Sequence, residues 1–324
     1  MAEWQSGHAA DCKSVNAGSI PTSASKIQLE MDKKNVSKAL IPVAGLGTRM
    51  LPATKAIPKE LLPIFDKPLI QHVVEEAISG GIKEIILITR SGKEAIENHF
   101  DNNYELEHRL EVSGKRKILK SVKNLIPKNI KISSIRQENA LGLGHAILCA
   151  EHLLKNEPFA VLLPDEFLVQ KELSNDFAKM MKNFTTSGSG QLLVEKVLKR
   201  DVPNYGVVDL KKKILKLKSQ KKVFGLIEKP KPKNSPSNLR IVGRYILPFS
   251  TMNAIKKLKP GRDGEIQLTD AINYLVKKDL EEINANLSTS EIYDCGSKTG
   301  FLGANISLAS KNKKIKRYIK EIIK

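Results

Sequence analysis

The chain has 324 residues, of which 41% are hydrophobic and 27% are charged. This is typical of a folded protein with one large core or two smaller ones, and no apolar run reaches the roughly 20 residues that span a bilayer. The net charge of +19 comes mostly from dispersed lysines, and aromatic residues that could stack on bases make up only 5%. We therefore expect neither nucleic acid nor membrane as a partner. The three cysteines are far apart and lack Cys-x-x-Cys spacing, which favours a reduced, cytoplasmic protein.

The first 30 residues differ from the rest, with neither a hydrophobic period nor a signal-peptide core. Residues 18–21 back-translate to the T-arm sequence of a transfer RNA gene, and residues 11–13 can encode a cysteine anticodon. We expect residues 1–30 to be an extension outside any domain, created by a start codon placed too early, with translation beginning at Met31. A genuine disordered tail is the alternative, and N-terminal sequencing of the native protein would distinguish the two. Residues 31–324 are predicted to form one domain, with halves at about 38–190 and 191–324.

The first half alternates strand and helix. The predicted strands are 39–44, 83–89, 131–137 and 159–163, and the predicted helices are 68–78, 93–100 and 143–154, with charged helical sequence to about 122. Continuous apolar strands between helices indicate an α/β fold with a Rossmann-like, doubly wound, mostly parallel sheet. Ligands of such sheets bind beyond the carboxyl ends of the strands.

The second half has more closely spaced strands. They are predicted at 191–197, 206–210, 223–228 and 240–247, followed by helices 250–258 and 267–277, a last strand at 291–295 and a long C-terminal helix. Such crowding indicates an antiparallel extension of a mixed sheet. The lysine-rich stretch 211–222 alternates like an exposed hairpin.

A glycine-rich loop follows the first predicted strand. Gly45 and Gly47 allow backbone N–H groups to approach an anion closely, and Arg49 and Lys59 supply a cation at each end. The loop is no Walker A sequence, and the third glycine of a dinucleotide fingerprint would fall on Met50. It therefore indicates a polyphosphate site of another kind, with an ordinary tight turn as the alternative.

The whole string from Gly45 to Pro52, with Pro58-Lys59-Glu60 behind it, resembles the signature of sugar-1-phosphate nucleotidyltransferases. The resemblance runs from about Lys38 to the end, and residues 41–71 are similar to the branch that uses UTP. It implies a nucleotide-diphospho-sugar transferase fold and transfer of UMP from UTP to α-D-glucose 1-phosphate. The implied products are UDP-glucose and pyrophosphate, formed by in-line attack on the α-phosphate with Mg²⁺ as cofactor. It also implies a homodimer or homotetramer that works in carbohydrate metabolism.

The resemblance also implies roles for individual residues of both halves. The first half would bind the nucleotide and the second half the sugar. Glycines at the sugar site would let the backbone approach the hexose. The implied catalytic residues are Arg49, Lys59 and Lys229; the nucleotide-binding residues are Ala44, Gly45, Gly47, Thr48, Glu60, Gln137 and Gly142; the sugar-binding residues are Gly206, Glu228, Val242 and Gly243.

Two aspartates are candidate magnesium ligands. Asp165 directly follows the apolar strand 159–163, where a carboxylate would face the phosphate loop; a turn-capping aspartate is the alternative. Asp294 ends the last strand, and the resemblance implies that it is the second ligand, with a helix N-cap as its alternative. Glu166 should point away from the metal because successive side chains of a strand alternate. Cys295 is expected to be a packed residue rather than a nucleophile.

The turn after strand 131–137 is expected to recognise the base. The amide of Gln137 can pair with both a carbonyl and the N3–H of uracil. His145 opens the next helix and is interpreted as structural rather than as a general base. Leu141 stands where many relatives carry lysine, which removes that charge from the turn.

Three alternatives stay open at this point. An inactive regulatory relative is disfavoured, because none of the charged motif positions has been replaced. A thymidylyltransferase would share the phosphate loop and the Glu228-Lys229-Pro230 turn but would prefer dTTP. A lysine-rich nucleic-acid-binding protein would show salt-sensitive retention of DNA or RNA without metal-dependent turnover.

Overall fold

The computed structural model describes residues 35–170, 175–217, 219–261 and 264–322. The expectation about residues 1–30 therefore lies outside the described residues. Both described cysteines, Cys149 and Cys295, carry free thiols, and Cys295 is packed in the core as expected. Within these ranges no helix is both long and apolar enough to cross a membrane.

A mixed sheet forms the centre of the molecule, with the strand order β10-β13-β8-β12-β6-β1-β4-β5 and with β9 and β11 paired beside β12. Strands β6, β1, β4 and β5 run parallel, as do β8 and β13, whereas β12 is antiparallel to both β6 and β8. The strands are β1 Lys38–Pro42, β2 Pro63–Ile64, β3 Lys67–Pro68, β4 Glu84–Thr89, β5 Lys131–Arg136, β6 Phe159–Leu162, β7 Glu166–Val169, β8 Gly190–Lys196, β9 Gly206–Asp209, β10 Gln220–Lys222, β11 Gly225–Glu228, β12 Leu239–Leu247, β13 Ile283–Leu287 and β14 Glu291–Asp294.

Helices cover both faces of this sheet and enclose two large apolar clusters, one on each face. This arrangement confirms the doubly wound α/β prediction, because continuous apolar strands need cover on both sides. The helices are α1 Leu69–Ser79, α2 Glu94–Phe100, α3 Tyr104–Val112, α4 Arg116–Lys123, α5 Gly142–Cys149, α6 Asp176–Ser187, α7 Ser250–Lys257, α8 Leu268–Lys277, α9 Lys298–Ala309 and α10 Lys313–Ile322. Short 3-10 turns lie at Thr48–Met50, Ala53–Lys55, Lys59–Leu61, Glu151–Leu153 and Lys199–Asn204.

The predicted antiparallel strands of the second half are confirmed, because β12 is antiparallel to β6, β8 and β9, and it lies inside the central sheet between β6 and β8. Two details differ from the sequence-based predictions. The basic stretch is not a hairpin: its only described strand, β10, pairs with β13 from much later in the chain. The C-terminal helix is two helices, α9 and α10, divided at residues 310–312.

The parallel strands bring the predicted loops to one edge of the sheet. Strands β1, β5 and β6 all end there, and their carboxyl ends lead into the glycine loop, Gln137 and Asp165 respectively. Strand β14 pairs with β7 directly after Asp165, and Cys295 N donates to Asp165 O at 2.7 Å. This pairing places Asp294 beside Asp165 although 129 residues separate them in sequence.

Candidate functional site

The glycine loop forms one wall of a cavity of about 410 Å³. Gly47 has a φ of 70°, in the left-handed region that favours glycine, and its carbonyl accepts a hydrogen bond of 2.8 Å from Thr54 Oγ1. The structure brings all seven predicted nucleotide-binding residues to this cavity, together with Lys59 and Asp165. These lining residues are Ala44, Gly45, Gly47, Thr48, Glu60, Gln137 and Gly142.

Two cations and two carboxylates meet beside the loop. Lys59 Nζ lies 2.7 Å from Asp165 Oδ2, and Arg49 lies between the aspartates, with Nη1 3.1 Å from Asp294 Oδ2 and Nη2 3.8 Å from Asp165 Oδ2. Arg49 is 61% exposed, so it is accessible to a ligand. Each predicted metal ligand is thus paired with a predicted catalytic cation.

These ion pairs fix the charges of the cluster. Burial alone would raise the pKa of Asp165, but the charge and hydrogen bond of Lys59, together with Arg49, outweigh burial and lower it. Burial would likewise lower the pKa of Lys59, but the carboxylates of Asp165 and Glu60 raise it. Asp165 is therefore ionised and Lys59 is protonated at neutral pH.

The donor set at this point suits magnesium. No group of three His, Cys, Asp or Glu side chains able to hold a metal occurs among the described residues. Mg²⁺, however, is usually held by only one or two carboxylates, with water and substrate phosphates as its other ligands. Asp165 and Asp294 can supply these two carboxylates. Glu166 is engaged elsewhere, because its carboxylate receives two hydrogen bonds, of 2.7 and 3.2 Å, from Arg240. That Glu166 does not bind the metal stays a prediction.

Glu60 is a buried acceptor in the same cavity. Its side chain is 1% exposed and its Oε2 lies 2.7 Å from Lys93 Nζ, whereas its Oε1 has no hydrogen-bond partner among the described residues. Burial raises the pKa of Glu60 more than Lys93 and Lys59 lower it. An unpaired buried oxygen of this kind is suited to accept a hydroxyl group of a ligand.

The turn that carries Gly142 is held by a neighbouring segment. Gly142 has a φ of 91°, and a Cβ atom on it would lie 2.8 Å from Ile266 O. Gly144 N donates to the same carbonyl at 2.8 Å, and Ile266 N donates to Leu141 O at 2.8 Å. Both glycines are therefore required by the close approach of residues 265–266.

A second cavity, of about 510 Å³, lies on the predicted sugar side. Glu228, Lys229, Glu265 and Gln267 line it. Glu228 Oε2 accepts a hydrogen bond of 2.7 Å from Thr269 Oγ1, so helix α8 holds the carboxylate of Glu228 in place. Glu265 also lines the first cavity, so the two cavities adjoin at this side chain.

The remaining predicted sugar residues belong to strands. Gly206 lies opposite Glu228 in the β9–β11 pair, and a Cβ on Gly206 would lie 3.0 Å from Glu228 Oε2. Val242 is fully buried in the core, backbone included, so the structure does not bring this predicted sugar residue to the surface of either cavity. Gly243 packs tightly against Leu163, whose N donates to Gly243 O at 2.7 Å. Gly243 therefore allows β12 to lie close to the end of β6, the strand that leads to Asp165.

Sequence reasoning missed several residues that support the site: Glu76, Lys93, Arg240, Arg244 and Glu265. The two arginines gave a usable signal, because a charge inside the apolar run 240–247 demands a buried partner. Arg244 is fully buried and binds Glu76, and it also donates to the carbonyls of residues 163 and 166 on either side of Asp165. Lys93 gave no such signal, because its partner Glu60 lies 33 residues away in sequence. Glu265 gave none either, because it lies in a loop and its side chain pairs with nearby Gln267.

The chain belongs to the Nucleotidyl transferase family, whose model matches residues 38–311. The predicted resemblance to sugar-1-phosphate nucleotidyltransferases is thereby confirmed, and the chain is a nucleotidyltransferase.

Several curated relatives of this chain have the same name. The chain is 46% identical over 290 residues to the UTP–glucose-1-phosphate uridylyltransferase of Haemophilus influenzae, covering 89% of this chain and 98% of the relative. It is 50% identical over 272 residues to the enzyme of the same name from Escherichia coli strain K12, covering 83% and 89%. A solved structure of UTP-bound UGPase from Acinetobacter baumannii is 40% identical with a TM-score of 0.82, covering 89% of this chain and 98% of that one.

Proposed function

We propose that this nucleotidyltransferase transfers UMP from UTP to α-D-glucose 1-phosphate and releases pyrophosphate. The observation that carries the proposal is the convergence of Arg49, Lys59, Asp165 and Asp294 beside the glycine loop. A reaction between two phosphate-bearing substrates needs charge neutralisation and positioning more than a strong base, and this cluster supplies both. The relatives named above support the choice of UTP and glucose 1-phosphate as substrates.

The nucleotide lies in the first cavity in this proposal. Backbone N–H groups of Gly45 and Gly47 bind the phosphates, and Gln137 pairs with the uracil ring. The unpaired Oε1 of Glu60 accepts a ribose hydroxyl. Arg49 and Lys59 leave their aspartates and neutralise the β- and γ-phosphates.

The sugar phosphate lies in the second cavity. Lys229 binds its phosphate, and Glu228 accepts sugar hydroxyls. An oxygen of the sugar phosphate attacks the α-phosphorus in line, the bond from that phosphorus to the β-phosphate oxygen breaks, and pyrophosphate leaves with its charge held by Arg49 and Lys59. Asp165 and Asp294 would hold Mg²⁺, which would supply positive charge to neutralise the reacting phosphates.

The test is pyrophosphate release in the presence of Mg²⁺ and glucose 1-phosphate, with UTP, dTTP, ATP or CTP as the nucleotide. We expect fast release with UTP that depends on both the sugar phosphate and the metal. A preference for dTTP would make the protein a thymidylyltransferase, and no release with any nucleotide would refute the proposal. Omitting the sugar phosphate controls for nucleotide hydrolysis.

We also propose that the enzyme works in the cytoplasm as a homodimer or homotetramer. The absence of disulfides among the described cysteines agrees with a reducing compartment. Sedimentation analysis of the purified chain would measure the oligomeric state, and a monomer at micromolar concentration would contradict this part of the proposal.

A further inference from the structure

The amide of Gln137 is held from one side only. The residue directly follows β5, is 7% exposed and lines the first cavity. Its Nε2 lies 3.2 Å from Gly142 O and 3.1 Å from His145 Nδ1. Among the residues that the structure describes, none donates a hydrogen bond to its Oε1.

The orientation of this amide follows from its two neighbours. The carbonyl of Gly142 can only accept a hydrogen bond, so the amide atom that faces it must be the NH₂ group. That group has two hydrogens, and the second one faces His145 Nδ1. His145 must then accept at Nδ1, which means a neutral ring with its proton on Nε2.

A second neighbour favours the same ring tautomer. Cys149 Sγ lies 4.0 Å from His145 Nδ1, and burial raises the pKa of this thiol, so it is present as S–H. Both groups near Nδ1 can therefore donate a hydrogen bond to it, and the NH₂ group of Gln137 cannot accept one. With both amide hydrogens engaged by Gly142 and His145, the free polar atom of Gln137 is the acceptor Oε1. The amide can therefore accept from N3–H of uracil but, contrary to the prediction from the sequence, it cannot also donate to a uracil carbonyl.

We propose that His145 is a positioning residue that holds the Gln137 amide with its oxygen toward the base and thereby selects UTP over CTP. The inference rests on the proposed function, because it assumes that the first cavity receives the base. Uracil presents N3–H as a donor to this oxygen, whereas cytosine presents an N3 lone pair. An oxygen facing that lone pair leaves two buried acceptors unpaired. The amide can turn its NH₂ group toward the N3 of cytosine only by losing its hydrogen bond to Gly142 and by requiring His145 to carry its proton on Nδ1 instead of Nε2.

The test compares His145→Asn with His145→Leu. The two replacements have nearly the same shape, but only asparagine has an oxygen close to the position of Nδ1. We expect His145→Leu to lower the ratio of UTP to CTP affinity about tenfold, as loss of one oriented hydrogen bond would. His145→Asn should retain most of the wild-type ratio, because Gln137 keeps its acceptor.

The measurement is titration calorimetry of UTP and CTP binding to the full chain without sugar phosphate, with thermal melts to verify that both variants are folded. If His145 acted in packing alone, both variants would bind UTP and CTP equally less tightly, and the ratio of UTP to CTP affinity would not change. That result would overturn the inference. Equal binding of UTP and CTP by the wild-type protein would also overturn it. The proposed function fails separately if the protein binds UTP more tightly than CTP but releases no pyrophosphate from UTP when glucose 1-phosphate is added.

Discussion

The buried pair between Arg244 and Glu76 gives the sharpest test of how the site is held. Arg244 donates from Nε to Glu76 Oε1 at 2.9 Å and from Nη2 to Oε2 at 2.7 Å. Its remaining hydrogen bonds, of 2.8 and 2.9 Å, go to the carbonyls of Leu163 and Glu166. The side chain of Arg244 is 0% exposed and that of Glu76 is 8% exposed, so water cannot replace either partner.

Replacing Glu76 by glutamine keeps the shape and removes the charge. The guanidinium of Arg244 then stays buried without a counter-charge, which costs about 3–5 kcal/mol of unfolding free energy. A domain of this size changes its melting temperature by about 2 °C per kcal/mol, so we expect Glu76→Gln to melt roughly 6–10 °C lower. Such a loss is a large part of the ~5–15 kcal/mol that stabilises a typical domain.

The matched control is Glu75→Gln on the same helix. Glu75 pairs with Lys67 at 2.8 Å, but both side chains are more than a third exposed, and exposed pairs contribute about 0–1 kcal/mol. Urea unfolding followed by circular dichroism measures both variants. A loss of less than 1 kcal/mol in Glu76→Gln, or an equal loss in Glu75→Gln, would refute the reasoning.

A double variant separates stability from positioning. Glu76→Met combined with Arg244→Met removes both charges and fills the space with apolar atoms, which should restore most of the stability. The carbonyls on either side of Asp165 then lose their donors, so pyrophosphate release should stay well below that of the wild type. Recovery of both stability and activity would show that Arg244 does not position the Asp165 turn.

Three further predictions concern single side chains. Arg49→Ala should lower kcat for pyrophosphate release about 10²–10³-fold by loss of one preorganised charge, with exposed Lys55→Ala as control; wild-type turnover would remove Arg49 from the mechanism. Asp165→Asn should abolish Mg²⁺-dependent release, and full activity in Mg²⁺ would contradict its assignment as a metal ligand. Burial alone would raise the pKa of Asp176, but hydrogen bonds from residues 288–290 outweigh it and lower the pKa. Ionised Asp176 therefore stabilises the folded state fully at pH values above its unfolded pKa of about 3.9. This stabilisation is lost as the pH falls through the lower pKa that Asp176 has in the folded state. Asp176→Asn should be less stable than wild type at pH 7 in urea unfolding, with a difference that shrinks below about pH 4; a constant difference would contradict this assignment.

The first half of the chain was predictable because its physical signals are local. Strand β1, the glycine loop and Asp165 occur in the order and at the sheet edge that their sequence pattern predicts. Parallel strands buried on both faces have continuous apolar sequences, and their carboxyl ends converge. The cluster of Arg49, Lys59 and the two aspartates follows from that convergence and from the resemblance to the family.

The second half was harder because its signals are not local. Strand β13 is almost wholly buried, yet its sequence Ile-Asn-Ala-Asn-Leu looks half polar. Asn286 satisfies its amide by donating to Gln191 Oε1 at 2.9 Å, on the neighbouring strand, and no sequence pattern reveals such a partner. The apolar run of β12 predicts a buried strand, but it does not show that the strand enters the middle of the sheet.

The place of β12 has a consequence for biosynthesis. Strand β6 has β1 on one side and β12 on the other, so one of its edges stays open on the ribosome until β12 has been made. About 80 residues separate β6 from β12, which at ~5–20 residues per second corresponds to roughly 4–16 s of translation. During that interval the nascent chain exposes an unpaired apolar strand edge, the kind of surface that chaperones bind and that promotes aggregation. Ribosome-bound chains that end before Leu239 should therefore be cleaved by protease much faster than chains that extend past β13.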